Sequence, residues 1–269
     1  NTQNLPTPTI GATPATQANK YFDVVLRNGG APSGGTYSTT VNMANGALLW
    51  DKPRNAAFDH YLVDSVRGVS RTLSSNTTGA ENTFPSWFTG FNNGSFTTGS
   101  SDWNSSTTVV DWIWAANGAG VTNTAGSITS TVSANTTSGF SVVTYTGTGS
   151  GTTTIGHGLG AAPRMIIVKS RSVVVNWVVY HAAITNPRDN LLYLDGTNAV
   201  INVNGYWGSS GPSSTTFGVG ALGGNNQSGA TYVAYCFAEV PGYSRFGSYT
   251  GNSSLDGPFV FCGFRPAYV

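Results

Sequence analysis

Short runs of β-forming residues follow one another along the chain, each closed by Gly, Asn or Ser, and this spacing predicts strands joined by turns. Residues 21–26 open the pattern and Asn28-Gly29-Gly30 breaks it. Residues 36–41 alternate weakly, 47–50 form a short apolar run, and 58–63 lead into Asp64-Ser65-Val66-Arg67-Gly68. Asn92-Asn93-Gly94 reads as a turn with Phe91 and Phe96 packed around it. Residues 107–115 are the clearest strand, with two Trp and three β-branched aliphatics. Further strands are expected at 140–145, 164–169, 177–181, 191–194, 217–219 and 230–238. No window carries a stripe of period 3.6, so one helical turn is allowed for, within residues 78–88. Short strands evenly spaced by turns are the signature of an all-β sandwich.

The pattern also repeats. Phe22-Asp23-Val24-Val25 returns as Phe140-Ser141-Val142-Val143. The run from Ala47 to Lys52 returns from Arg164 to Lys169, and that from Thr108 to Ala115 from Thr231 to Ala238. Phe246-Gly247-Ser248-Tyr249-Thr250-Gly251 echoes Val143-Thr144-Tyr145-Thr146-Gly147, as a third copy would begin. A period this long implies whole domains rather than solenoid units. The expected organisation is a linker or arm (1–19, with Pro6, Pro8 and Pro14), a first jelly-roll-like β-sandwich (20–118), and a connector with an edge strand at 127–133 (119–138). A second sandwich (139–243) and the first strands of a third (244–269) complete it. The chain reads as a piece of something longer at both ends.

Charged residues make up 9% of the 269 residues, against a usual ~25%, while aromatics reach 12%. That is material for packed cores under a surface wetted by neutral polar groups. With a net charge of +1 and scattered Lys and Arg, nucleic acid is not an expected partner. No apolar stretch approaches the ~20 residues of a membrane-spanning helix, so membrane insertion is not expected. Cys236, aligned with Ile113, and Cys262 read as buried free thiols rather than a disulfide framework.

The candidate chemistry is sparse. Asp59-His60 and His181 lack a G-x-S-x-G nucleophile turn and read as strand residues. His157, in Gly156-His157-Gly158-Leu159-Gly160, reads as a turn residue without a second metal ligand at useful spacing. Among the eleven carboxylates, Asp102, Asp195 and Asp256 adjoin turns, and Asp111 is Ala234 in the other copy. A catalytic acid should persist between copies, so no enzyme, metal or cofactor is expected. Trp112 and Trp114 match Tyr235 and Phe237 and read as core. Trp87, Trp103, Tyr206 and Trp207 lie in loops without counterparts, and are the expected glycan-contact residues if exposed. The competing reading buries them at sandwich ends or at a chain–chain interface.

Several phrases carry a resemblance as a set. They include the run from Thr13 to Val25, Asp64-Ser65-Val66-Arg67-Gly68-Val69, Leu73-Ser74-Ser75-Asn76-Thr77-Thr78, Gly156-His157-Gly158-Leu159-Gly160 and the run from Tyr232 to Val240. Through them the chain resembles uncharacterised tandem-repeat virion structural and tail-fibre-like proteins of tailed phages, many marine or cyanobacterial. The likeness covers nearly all of residues 13–269; relatives continue past Arg265-Pro266-Ala267-Tyr268-Val269 into a full third repeat. It implies a virion location, self-association as a homotrimer, other virion proteins as neighbours and host surface polysaccharide as a target. A capsid-decorating structural protein is the alternative, and a polysaccharide depolymerase the third reading.

Overall fold

The computed structural model describes residues 10–209 and 211–269, and its regular structure is almost wholly antiparallel strand. The first half holds β1 (Phe22–Asn28), β2 (Gly35–Asn42), β3 (Ala47–Pro53), β4 (Tyr61–Asp64), β5 (Arg71–Ser74), β6 (Asn82–Thr83), β7 (Phe88–Thr98) and β8 (Thr108–Ala115). The connector supplies β9 (Val121–Asn123) and β10 (Ser130–Asn135). The second half holds β11 (Phe140–Thr146), β12 (Thr153–Gly156), β13 (Pro163–Ser170), β14 (Val178–His181), β15 (Asn190–Tyr193), β16 (Ile201–Asn202), β17 (Thr216–Val219) and β18 (Thr231–Ala238).

One sheet runs β1-β8-β3-β4-β5-β6; the other runs β9-β10-β11-β18-β13-β14-β15-β16. Its last six strands stand in the same order as the whole of the first sheet. Two small sheets, β2 with β7 and β12 with β17, occupy matching places in the two halves. Register agrees as well: Phe22 faces Trp114 as Phe140 faces Phe237, and Asp51 faces Asp111 as Val168 faces Ala234.

The layers follow from the period of two along each strand. On β8, Ile113 and Ala115 turn outward and pack beneath β2 and β7, with Val41, Phe88 and Phe96. On β18, Tyr232, Ala234 and Cys236 turn outward, to Ile155, Phe217 and Val219 of β12 and β17. The opposite faces meet each other. Leu48, Leu62 and Leu73 of the first sheet pack on Val142, Ile167, Trp177, Val179, Val233 and Tyr235 of the second half. The halves therefore share a third core beside the two outer ones.

Polar groups stitch the rim of that shared core. Tyr235 Oη donates to Asp64 at 2.8 Å and accepts from Arg67 Nη2 at 3.1 Å. Glu81 binds Arg67 at 3.0 Å and Arg171 of the other half at 2.8 Å. The Trp177 indole donates to the Ser74 carbonyl at 2.8 Å. Buried Lys169 donates to the carbonyls of Thr78 and Val175; burial, opposed by Asp195, pushes its ammonium down to about 8.

Several expectations need correction. The edge strand expected at 127–133 is β10, and it lies inside the sheet because β9 pairs with its far side. The turn expected at Asn92-Asn93-Gly94 lies within β7; Gly94 adopts φ +73° and the ladder to β2 shifts register nearby, so a kinked strand replaces the turn. The α-helical turn falls at α1 (Gly223–Asn226) rather than within 78–88, where β6 pairs with β5. Residues 10–20 form two 3₁₀ turns, Pro14–Thr16 and Ala18–Lys20, instead of an extended arm; residues 1–9 of that expected linker lie outside the described residues. The segment 244–269 contains no strand. A strand needs a neighbour for its ladder, and this segment meets the body through side chains instead: Tyr268 packs on Phe22 at 5.1 Å and near Trp114, and Phe246 lies near Phe237. Cys236 is buried and free as expected; Cys262 is free but only half-buried.

The rim network yields a prediction. Tyr235→Phe keeps the shared core filled but removes the one hydroxyl that joins Asp64 and Arg67 to the second sheet. A loss of about 1–3 kcal/mol is expected, read as a lower urea midpoint at unchanged m-value. An unchanged midpoint would show that the network adds nothing to the packing.

Candidate functional site

Three acids that no sequence motif connects meet around one arginine. Arg27 on β1 pairs with Asp51 on β3 at 2.8 Å, with Asp111 on β8 at 2.7 Å, and with Asp102 in the loop before β8 at 2.9 Å. All four lie on the outer face of the first sheet and are buried. The Tyr37 ring covers the guanidinium, 4.5 Å from its centroid. Asp102 also accepts from the Gly30 N–H at 2.8 Å, which fixes the loop after β1.

Three carboxylates exceed what one guanidinium neutralises. Burial, then the neighbouring Asp111, push Asp51 well above the usual carboxylate range, against the pull of Arg27. Burial raises Asp111 too, opposed by Arg27. Burial works against charge on Arg27, but the three carboxylates outweigh it and its proton is held more tightly than usual. Asp111 Oδ1 is buried with no hydrogen-bond partner, beside its cross-strand neighbour Asp51. A proton on one of the two would supply the donor that Asp111 Oδ1 lacks.

Above this cluster sits an aromatic patch. The Trp103 indole donates to Asp51 Oδ1 at 2.6 Å, so the ion cluster sets the orientation of the ring. Phe58 stacks on Trp103 at 5.1 Å and 26°. Trp87 stands edge-on to Trp103 at 4.9 Å, with Tyr61 at 4.4 Å and Phe84 at 5.6 Å from Trp87. Phe58 is 52% exposed and Phe84 37%; Trp103 is half-buried.

The four expected glycan-contact residues thus separate. Trp103 stays partly accessible. Trp87 is 7% exposed, Tyr206 6% and Trp207 1%, too little for a ring face to stack on a sugar, so that expectation is corrected for these three. Their loops fold back over the outer cores. Trp87 lies in the first, and Trp207 donates to the Asn190 carbonyl in the second, with Tyr180 at 5.6 Å. Phe58 and Phe84 were the residues missed; Phe84 stands three residues before Trp87, whereas Phe58 meets Trp103 only through the fold.

The histidines form no site. His60 precedes β4, and His181 ends β14, far along the chain from it. His157 is buried and holds its own turn: Nδ1 accepts from the Leu159 N–H, so Nε2 carries the proton toward the Ser213 carbonyl. Burial lowers its pKa. Among the described residues no cluster of three metal-ligating side chains occurs. The Arg27 cluster is sealed from solvent, and what it can do is hold Trp103 and the β1–β3–β8 ladder in place.

Two outcomes follow from the cluster. Arg27→Met leaves buried carboxylates without a counter-charge, and a loss of about 3–5 kcal/mol is expected on denaturant unfolding. Asp51→Asn removes the charge of the acid and turns one acceptor oxygen into a donor, giving up the bond that oxygen took from Arg27 or Trp103. Because the folded pKa of Asp51 is raised, its contribution is present at low pH and is lost as pH climbs from the ordinary carboxylate value through the raised one. The Tm of Asp51→Asn should therefore gain on that of the unsubstituted chain as pH rises from about 4 to 8; a difference independent of pH would rule out a proton held on the pair.

No curated protein and no solved structure matches the chain. Residues 17–269 match a family described as a domain of unknown function, DUF7483, in a single span that takes in both halves and the C-terminal segment. With nearly its whole length matched, the chain belongs to the DUF7483 family.

Proposed function

We propose that this chain is a structural module of a phage virion, part of a tail fibre or another adsorption appendage, which contacts host surface glycans. The observation that carries the contact is the Phe58–Trp103 stack, an aromatic surface open to solvent and fixed from below by buried Asp51. A rigid ring presented without conformational cost is what stacking on the apolar face of a sugar requires. The virion assignment rests on the sequence resemblance. Self-association, as a homotrimer in this reading, would multiply weak contacts into useful avidity.

A second reading is a capsid-decorating or otherwise purely structural virion protein. The burial of Trp87, Tyr206 and Trp207 favours it, because most loop aromatics are spent on the fold. The depolymerase reading has the least support: the acids that do converge are closed to any substrate.

The test is a reconstruction of the parent particle together with a glycan array. Copies at tail tips with Phe58 outward, and at least about tenfold weaker glycan binding by Phe58→Ala at unchanged Tm, are expected; tenfold is the scale of one lost aromatic contact, ~1.4 kcal/mol. Copies spread over the capsid with Phe58 covered by a neighbour would overturn the adsorption role and leave the structural one.

A further inference from the structure

The two large sheets do not cover each other completely. On the inner face of the second sheet, the apolar half lies beneath the first sheet. The other half, toward β9 and β10, is open and carries threonine after threonine. Thr122, Thr131 and Thr144 are successive cross-strand partners on β9, β10 and β11. A second row lies two residues along: Thr146 pairs with Thr231 on β18, and Thr129 stands one step beyond the Ser130–Tyr145 pair, opposite Thr146. Together they line a shallow depression of about 200 Å³.

The register makes this a grid. Neighbours within a row are ~4.7–4.9 Å apart and the rows lie roughly 6.5–7 Å apart, because strand spacing and the two-residue repeat are fixed by the backbone. Thr231 uses its backbone N–H and carbonyl toward Ser172 and Ser170; its hydroxyl and the other five make no side-chain hydrogen bond among the described residues. Each therefore retains one donor and two acceptor positions. Three of the six are exposed and three half-buried. Arg171, at the border of the depression, is held by both oxygens of Glu81, at 2.8 and 2.9 Å, so the surface presents little net charge.

We infer that this threonine grid is a binding face for an extended, uncharged, β-linked polysaccharide. The spacing within a row is close to the advance per residue of a straight pyranose chain, so one chain laid across the strands meets a hydroxyl at each sugar. The Thr methyls between them give apolar contact to the ring faces. A flat grid without a deep pocket suits a polymer rather than a small solute, and the neutralised Arg171 gives no preference for an anionic one. The inference uses a surface separate from the Phe58–Trp103 patch and does not require that patch to bind anything.

The test is affinity electrophoresis of the whole chain through gels containing hydroxyethyl cellulose, dextran or alginate, comparing it with Thr131→Val/Thr144→Val and with Phe58→Ala. Valine keeps the shape and strand preference of threonine and removes only the hydroxyl, and circular dichroism verifies the fold. Retardation by hydroxyethyl cellulose, weakened at least about tenfold in apparent Kd (~1.4 kcal/mol) by the double substitution and unaffected in Phe58→Ala, is expected. Equal retardation of the double variant overturns the inference, as does absence of retardation of the unsubstituted chain in every gel. Retardation by alginate alone overturns it in favour of charge, and equal retardation by dextran overturns the register argument. Loss confined to Phe58→Ala overturns the grid while supporting the aromatic patch.

Discussion

The face-to-face burial of the two large sheets is the constraint from which the remaining structure follows. The central strands β3, β8, β13 and β18 each have an outer face to cover with a small sheet and an inner face to cover with the other half. A strand buried on both faces cannot alternate between apolar and polar, which is why Ala47, Leu48 and Leu49, and likewise Ile166, Ile167 and Val168, are buried in unbroken runs. The same arrangement forces polar groups at the rim into dry surroundings. Asp64, Arg67, Glu81, Arg171 and Tyr235 answer by bonding to one another across the gap, since an unpaired buried charge would cost more than the packing around it returns.

The two outer cores show the same backbone solving one problem by different chemistry. Where the first half has Arg27, Asp51 and Asp111, the register of the second half places Tyr145, Val168 and Ala234. Tyr145 spans the volume with a ring stacked on Tyr232 at 5.1 Å and ties its hydroxyl to the Asn225 carbonyl at 2.7 Å. Ion clusters of this kind are seldom the more stable alternative to well-packed apolar groups. What the first half obtains instead is a directional anchor: Asp51 reaches past Arg27 to the Trp103 indole, and Asp102 holds the loop after β1. A core of valine and alanine could orient neither. The aromatic patch and the ion cluster are best understood as one device, a ring pair positioned from within the sheet.

Much of the scaffold was legible in sequence because it depends on local pattern. The runs at 36–41, 47–50, 140–145 and 164–169 lie in β2, β3, β11 and β13, and those at 21–26, 107–115 and 230–238 begin one residue before β1, β8 and β18. What could not be read depends on where loops go. Trp87, Tyr206 and Trp207 sit among turn residues, and nothing local distinguishes a loop that waves in solvent from one that folds back on an outer core. The acids failed for a related reason. Asp51 stands some fifty residues before Asp102 and Asp111, and the matching positions of the second half, Val168 and Ala234 for Asp51 and Asp111, are apolar, so residues shared by the two halves do not point to them. A better signal was available: under a period of two Arg27, Asp51 and Asp111 share a strand face with the apolar Val25, Leu49 and Ile113, and charges on such a face have to find one another.

The distribution of charge links the interior to the surface. The chain has twelve basic and eleven acidic residues, and Arg27, Arg67, Lys169, Asp51, Asp64, Asp102 and Asp111 are buried. With seven of twenty-three charges committed inside, the remaining sixteen are spread thinly over a surface of hydroxyls, amides and occasional rings. With a net charge of +1, such a surface has little long-range field to steer a charged partner. The proposed neutral carbohydrate would be recognised there by shape, by hydrogen bonds at fixed spacing and by ring stacking. The same economy of charge that lets two sheets share a dry core thus narrows what the outside of the molecule can recognise.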